Sequence, residues 1–380
     1  MPRFTVQYTY INDFDRLVQC CTQAASKPLV AVDTEFVRTR TLFPNLGLLQ
    51  LFDGEHLSLI DPEAIDDLSP FWQLLKDPKV MKLIHSCSED LEVFLRSGNC
   101  RPMNMLDSQV AMSFLGHGLS MGYAAMIKHY LGIELDKSES RTDWLKRPLS
   151  DKQLQYAAAD VAHLFEISER IIDDVKQAGF YQQALAESEY QIEKKFRPVE
   201  PMTFYLDNKS AWKFKPLQLA CLQHLMAWRY EQAVKRNLPL TFVAKDATLF
   251  ALAQRNPKNV GAMASIEGIE ILDVRHKGKA MLNVLRHVNQ LDASQYPAQL
   301  TRIDSYPNYK ATFKLIKTKL QDLAEQKGLD AAVLAGKKQI HQLLMWHWQI
   351  NGQQLVDVEL LNGWRDELIG DELRTFLASL

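Results

Sequence analysis

The sequence predicts an α/β domain, a mixed sheet flanked by helices, followed by two small all-α domains. Three observations lead there. Apolar runs of strand length (29–36, 46–52, 56–60 and 80–85) crowd into the first 85 residues and then alternate with helical patterns. Strand signals nearly vanish after Arg197-Pro198-Val199-Glu200-Pro201, and helical periodicity runs from Pro216 to Leu380. Within that second half, 212–290 and 309–380 repeat one order of signals. At 380 residues the chain exceeds one typical core.

In order, the pattern predicts a short strand and a helix over Phe4 to Ala25, the helix carrying Phe14, Leu17 and Val18. Leu29 to Val32 is a β-branched-rich run behind Pro28 and reads as a buried strand reaching Phe36. Residues 46–52 and 56–60 form a hairpin around the turn signal Asp53-Gly54. A helix follows at 69–76, a strand at 80–85, and helices at 86–96, 107–115 and 120–131. Ser150-Asp151-Lys152-Gln153 is the strongest helix start, because Ser150 can cap while Gln153 reaches back. One helix is expected from there to about Gln177, before Gly179. In each helical domain a long helix ends at a basic or glycine turn (Lys235-Arg236-Asn237-Leu238; Gln326-Lys327-Gly328-Leu329). A short apolar loop follows (Thr241 to Ala244; Ala331 to Leu334), then a helix start containing lysine. The expected domains are 1–196, 212–290 and 309–380, with linkers at 197–211 and 291–308 around Pro201 and Pro297.

The composition, 47% apolar and 24% charged, is that of a soluble globular protein. No run of about 18 uncharged apolar residues exists, so neither a transmembrane helix nor a membrane partner is expected. Met1 to Tyr10 lacks a secretory pattern. Five cysteines without Cys-x-x-Cys spacing argue against a disulfide framework or zinc ribbon and for a cytoplasmic location. The net charge of −2 conceals an acidic first half (−8 over 1–200) and a basic second half (+6 over 201–380). The first is compatible with a cation site, the second with a polyanion.

Asp33 and Glu35 end the first long strand. Residues two apart on a strand share a face, and two acids on one face of a core strand call for a cation. Asp90 falls in Ser86-Cys87-Ser88-Glu89-Asp90-Leu91-Glu92, where the helix dipole alone favours an acid and Glu89 and Glu92 compete with it. Tyr156 and Asp160 are four apart on the capped helix, off its apolar stripe, and therefore share a face. Singly, each has an ordinary structural reading. Together they make four carboxylates and a phenol on elements that a mixed sheet brings together. Such oxygen-only sets suit Mg²⁺ or Mn²⁺, and two-metal phosphoryl chemistry needs several carboxylates to hold two ions close.

Here the sequence resembles the DEDD exonuclease superfamily, most closely its ribonuclease D branch. The three motifs are Val32-Asp33-Thr34-Glu35-Phe36, His85-Ser86-Cys87-Ser88-Glu89-Asp90-Leu91 and Tyr156-Ala157-Ala158-Ala159-Asp160-Val161. Asp143 to Ser150 resembles the run leading into the third. Gln155 stands where the histidine subtype would have its histidine, and Tyr156 matches the tyrosine subtype. The two helical segments resemble HRDC domains. The resemblance implies a ribonuclease H-like exonuclease domain with two HRDC-like domains. It implies removal of nucleotides from RNA 3′ ends as 5′-monophosphates, with two divalent ions and tRNA precursors as partners. It also implies that Asp33 bridges both ions, Glu35 and Asp160 hold the ion that activates water, Asp90 helps hold the second, and Tyr156 positions the water.

Outside that set, Phe36 has two readings, packing on the terminal sugar or base and belonging to the core. Arg147 also has two, a phosphate contact and an ion pair. His85 reads as structural. In the basic half, Lys213, Lys215, Lys235, Arg236, Arg275, Lys277, Lys279, Lys310, Lys314, Lys317 and Lys319 are candidates for backbone phosphates. No protein partner is demanded. The competing classes are a DNA 3′–5′ exonuclease, which would use the same chemistry, and a non-catalytic nucleic-acid adaptor. A helicase is set aside because Gly278-Lys279-Ala280 and Gly336-Lys337-Lys338 lack the phosphate-loop pattern.

Overall fold

A six-stranded mixed sheet organises the first half of the chain in the computed structural model, which describes residues 6–136, 138–350 and 358–380. The elements are β1 (Thr9–Ile11), α1 (Phe14–Ala24), β2 (Leu29–Val37), β3 (Asn45–Phe52), β4 (Leu57–Ile60), α2 (Ser69–Lys76) and β5 (Met81–Ile84). Next come α3 (Ser88–Gly98), β6 (Met105–Asp107), α4 (Ser108–Phe114), α5 (Tyr123–Leu131), α6 (Asp151–Glu166), α7 (Ser168–Gln177) and α8 (Tyr181–Phe196). The sheet order is β1-β4-β3-β2-β5-β6. β2, β3 and β4 form an antiparallel meander, and β5 and β6 extend it in parallel beyond β2. β2 is therefore flanked on both edges.

The pleat divides β2 between two cores. Val30 and Val32 pack with α1, α2 and α3, while Ala31 packs with α4 to α8. Local chemistry sets the ends of several elements. Asp13 caps α1 by accepting from Arg16 N at 2.9 Å. Ser150 and Gln153 close the reciprocal capping box of α6. At Gly47 a Cβ would lie 2.6 Å from the Trp144 carbonyl oxygen, so only glycine lets the 144–150 segment lie on β3 and start α6 there.

The expected elements appear with ends shifted by a few residues, and the strand expected from Phe4 falls partly on 1–5, outside the described residues. Three features depart from expectation. β6 is three buried residues, too short for an alternation signal, and exists because β5 supplies its ladder. The helix from Asp151 breaks at Ile167, so that Leu164 on α6 and Ile171 and Val175 on α7 all reach one core. α8 was not anticipated; its buried residues are widely spaced (Ala184, Ser188, Ile192) between polar ones.

The second half comprises α9 (Pro216–Arg236), α10 (Leu240–Val243), α11 (Asp246–Arg255), α12 (Val260–Ala264) and α13 (Ile271–Val288), then α14 (Tyr309–Lys327), α15 (Ala331–Leu334), α16 (Lys337–His347) and α17 (Gly363–Ala378). The repeat is visible in space. α9 and α14 each end at a left-handed residue, Asn237 and Gly328, and a one-turn helix follows where a loop was expected. The first helical module has its own core. Part of the 197–211 segment joins it, because the 3₁₀ turn Pro201–Asp207 lays Phe204 and Tyr205 on that core. The second module instead shares the core of α4 to α8. Trp364 Nε1 and Arg365 both donate to Glu187 of α8, at 2.8 and 2.7 Å, and the Phe114 and Trp364 rings lie 5.2 Å apart.

Candidate active site

Three elements converge at the end of β2. Asp33 and Glu35 project to the α6 face, opposite Gln50 and Leu48 of β3. A register shift between Glu35 and Phe36 then bends the strand just past the acids. Tyr156 and Asp160 descend from α6, one turn apart. Asp90 comes from the first turn of α3 and accepts a 2.5 Å hydrogen bond from the Thr34 hydroxyl. Carboxylate oxygens of Asp33, Glu35 and Asp160 all lie within 4.8 Å of one another.

The ambiguity among the acids of α3 is resolved by their surroundings. Glu89 is exposed and paired with Arg38 at 3.0 Å, and Glu92 pairs with Lys195 at 3.0 Å. Asp90 is buried, with no cation beside it. Indeed, among the described residues no lysine, arginine or histidine forms an ion pair with Asp33, Glu35, Asp90 or Asp160.

The electrostatics follow. Burial, then the charges of Asp90 and Asp160, raises the Asp33 carboxyl well above its usual range. Burial, then Asp33, Asp160 and Asp90, pushes Glu35 up to about 10. Burial takes Asp90 to about 7 against the opposing hydrogen bond from Thr34. It also takes Asp160 to about 7 against one from Tyr156. The Tyr156 hydroxyl is raised by burial and then by Asp160, Glu35 and Asp33, so it stays protonated. A cluster of acids whose ionised forms disfavour one another, without a protein cation, fits hard divalent cations: every donor is an oxygen and the missing charge is positive.

Two neighbours of the acids, Tyr123 and Gln50, carry no sequence signal. Tyr123 of α5 donates from its hydroxyl to the Asp160 carbonyl oxygen, fixing the backbone at that acid. His85 packs edge-on against Tyr123, its ring Nδ1 2.9 Å from Ser108 Oγ. Gln50, directly across from Asp33, is fully buried, and neither amide atom has a partner among the described residues. Gln155 turns away from the cleft, bonding Val6 N and O through its side-chain amide at 3.0 and 3.2 Å. That contact accounts for the amide at this position.

The remaining candidates separate. Arg147 is an ion-pair residue, not a free phosphate ligand: Nε and Nη2 bond the Asp61 carboxylate at 2.9 and 2.5 Å, and the Gly47 and Trp144 carbonyls take further donors. Phe36 is half-buried against the α1–α3 core. Lys277 Nζ is engaged by Asp273 at 2.7 Å and the Phe242 carbonyl at 3.0 Å, which leaves little of it for a phosphate. Lys279 is exposed.

Known proteins share this plan. Residues 8–176 match the family model for 3′–5′ exonucleases, 218–285 that for the HRDC domain, and 307–373 that for the ribonuclease D C-terminal HRDC domain. Ribonuclease D of Musicola paradisiaca is 43% identical over 374 residues, covering 98% of this chain and 100% of that one. Ribonuclease D of Escherichia coli is 40% identical over 372 residues, covering 98% and 99%. The crystal structure of Escherichia coli RNase D, described as an exoribonuclease involved in structured RNA processing, matches with a TM-score of 0.94 at 39% identity, over 98% of this chain and 99% of that one. The chain therefore belongs to the ribonuclease D family of 3′–5′ exoribonucleases.

Proposed function

We propose that the chain trims RNA from its 3′ end with two divalent ions, Mg²⁺ or Mn²⁺, releasing nucleoside 5′-monophosphates. One observation carries this reading: three carboxylates with oxygens within 4.8 Å, joined by a fourth through Thr34, and no ion pair to a cation among the described residues. When bound, such ions lower the pKa of water and stabilise charge on the leaving oxygen. Asp33, influenced by both Asp90 and Asp160, would contribute to both positions, with Glu35 and Asp160 helping to hold one ion and Asp90 the other. Tyr156, protonated, donates a hydrogen bond that orients the attacking water and does not take its proton. Thr34 holds the Asp90 carboxylate, and Tyr123 holds the backbone of Asp160.

The substrate we propose is a tRNA precursor with a 3′ extension, and the workplace the cytosol. The structured-RNA role of the Escherichia coli relative supports the first. Five free, buried cysteines support a reducing compartment. Residues 1–196 act as the catalytic unit, while 212–290 and 309–380 grip the RNA body through its backbone, with 197–211 and 291–308 as joining segments.

Digestion of a 3′-extended tRNA beside single-stranded DNA, with and without Mg²⁺, tests the reading. Mononucleotides should leave the RNA only when metal is present. Trimming in a chelator would remove the metal assignment, and DNA degraded as fast as RNA would favour a DNA exonuclease.

A further inference from the structure

A groove of about 800 Å³ lies between the two helical modules. Its walls are the 206–213 segment, the 300–304 segment, the first turn of α14 and one side of α16. It shares no residue with the carboxylate cleft. Lys209, Lys213, Lys310 and Lys337 line it, all four exposed and none in an ion pair among the described residues. The acids that line it are Asp207 and Asp304, and Asp304 is already bonded to Arg302.

The wall also carries a half-exposed indole. The Arg302 guanidinium lies 4.8 Å from the Trp212 ring centroid and Lys213 Nζ lies 5.6 Å from it. A guanidinium over an indole marks that ring as a surface on which planar groups stack. An aromatic face among unpaired lysines is the arrangement that binds single strands: bases stack without regard to sequence and the cations follow the backbone.

We propose that this groove binds a single-stranded RNA segment upstream of the 3′ end being trimmed, with a base on Trp212 and phosphates against Lys213, Lys310 and Lys337. The proposal rests on the reading that RNA is the substrate of the cleft. It adds a second contact that anchors the strand's body while the end is shortened. Loss of the groove then weakens capture of long or folded RNA and leaves the chemistry on short RNA untouched.

The test uses the full chain. In chelator, a labelled hairpin RNA with a single-stranded 3′ tail is titrated with wild type, Trp212→Ala, Trp212→Phe and the double variant Lys310→Glu/Lys337→Glu. Trp212→Ala should raise Kd roughly 5- to 100-fold, and Trp212→Phe, which keeps a ring, should recover most of that. The double variant, changed only at exposed positions, should flatten the slope of log K against log salt by about 0.7 for each lost phosphate contact. With Mg²⁺, hydrolysis of a tetranucleotide should be unchanged in all of them. Folded variants that bind the hairpin within about twofold of wild type overturn the proposal, as does equal loss on hairpin and tetranucleotide. Displacement of the hairpin by uridine 5′-monophosphate from wild type, lost in the double variant, would make the groove a mononucleotide site and overturn the strand reading. Failure of the wild type to hydrolyse either RNA would fault the cleft, while the binding arm still decides the groove.

Discussion

Charge is used in opposite ways in the two halves of this molecule. At the end of β2, three carboxylates stand together and a fourth, Asp90, is bonded to Thr34 beside them, with no ion pair to any cation among the described residues; a strand, two helices, Thr34 and Tyr123 hold them. In the helical half, most cations lie on exposed faces, some of them, like Lys245, tied to a nearby acid, while Arg229 and Arg365 are buried in ion pairs. The first arrangement is costly until an opposite charge arrives, so the position of every group counts. The second acts by summation, and each member is worth little alone. The helical half is not uniform, however. Its second module is continuous with the core of the catalytic half through Glu187, Trp364 and Arg365. The first module has a core of its own, and its Asn237 side chain accepts from Phe43 N at 3.1 Å, in the loop just beyond the catalytic strand.

The contrast can be broken at four places, taken from the largest effect down. Asp33→Asn should lower the trimming rate by about 10³-fold or more while RNA affinity in chelator stays within about twofold; a rate within about tenfold of wild type would show that the cluster is not the reacting centre. Arg365→Ala should cost about 1.5–3 kcal/mol of stability, because it removes the charged partner of part-buried Glu187 at the joint and leaves it only the Trp364 donor. Denaturant unfolding measures this, and an unchanged midpoint would mean that the second module is merely appended. Removing that module outright would strip the same joint from α8, so point variants separate binding from folding more cleanly than truncation does.

The third concerns pH. Asp90 and Asp160 titrate near 7 in the folded metal-free chain, above their ordinary value of 3.8. A raised carboxylate favours the folded state when protonated. That contribution is whole below about pH 4 and is lost as pH rises through about 7. In chelator, the melting temperature of wild type should therefore fall relative to that of Asp33→Asn as pH rises through this window. Mn²⁺ should restore it more at pH 8 than at pH 5. A wild type that gains on the variant as pH rises would reverse the argument. The smallest effect belongs to a single exposed cation. Lys279→Ala should weaken RNA binding less than about threefold and lower the salt slope by about 0.7; a tenfold loss would mean that the helical half also has positions of its own.

Much of the site was legible because its logic is local. Alternation along a strand pairs Asp33 with Glu35, helical spacing pairs Tyr156 with Asp160, and the Ser150 capping box sets where α6 begins. Asp90 could not be separated from Glu89 and Glu92 by local rules, since all three suit the first turn of a helix. Contacts from elsewhere separate them: Arg38 takes Glu89, Lys195 takes Glu92, and Thr34 takes Asp90. Arg147 likewise had two readings until Asp61, far off in sequence, closed on it. Tyr123 and Gln50 were invisible, because what places them beside the acids is the sheet order and the docking of α5.

By itself, then, the chain's order of residues determined the strand with its two acids, the capped helix with its phenol and acid, and the succession of an α/β domain by helical ones. These are properties of neighbours within a few residues, where periodicity and capping operate. The tertiary structure decided which fourth acid, from α3, lies beside those three, that no cation among the described residues pairs with them, that the two helical modules are attached differently, and that Trp212 and lysines about a hundred residues apart line one groove. Those depend on distances across the fold, which no local pattern encodes.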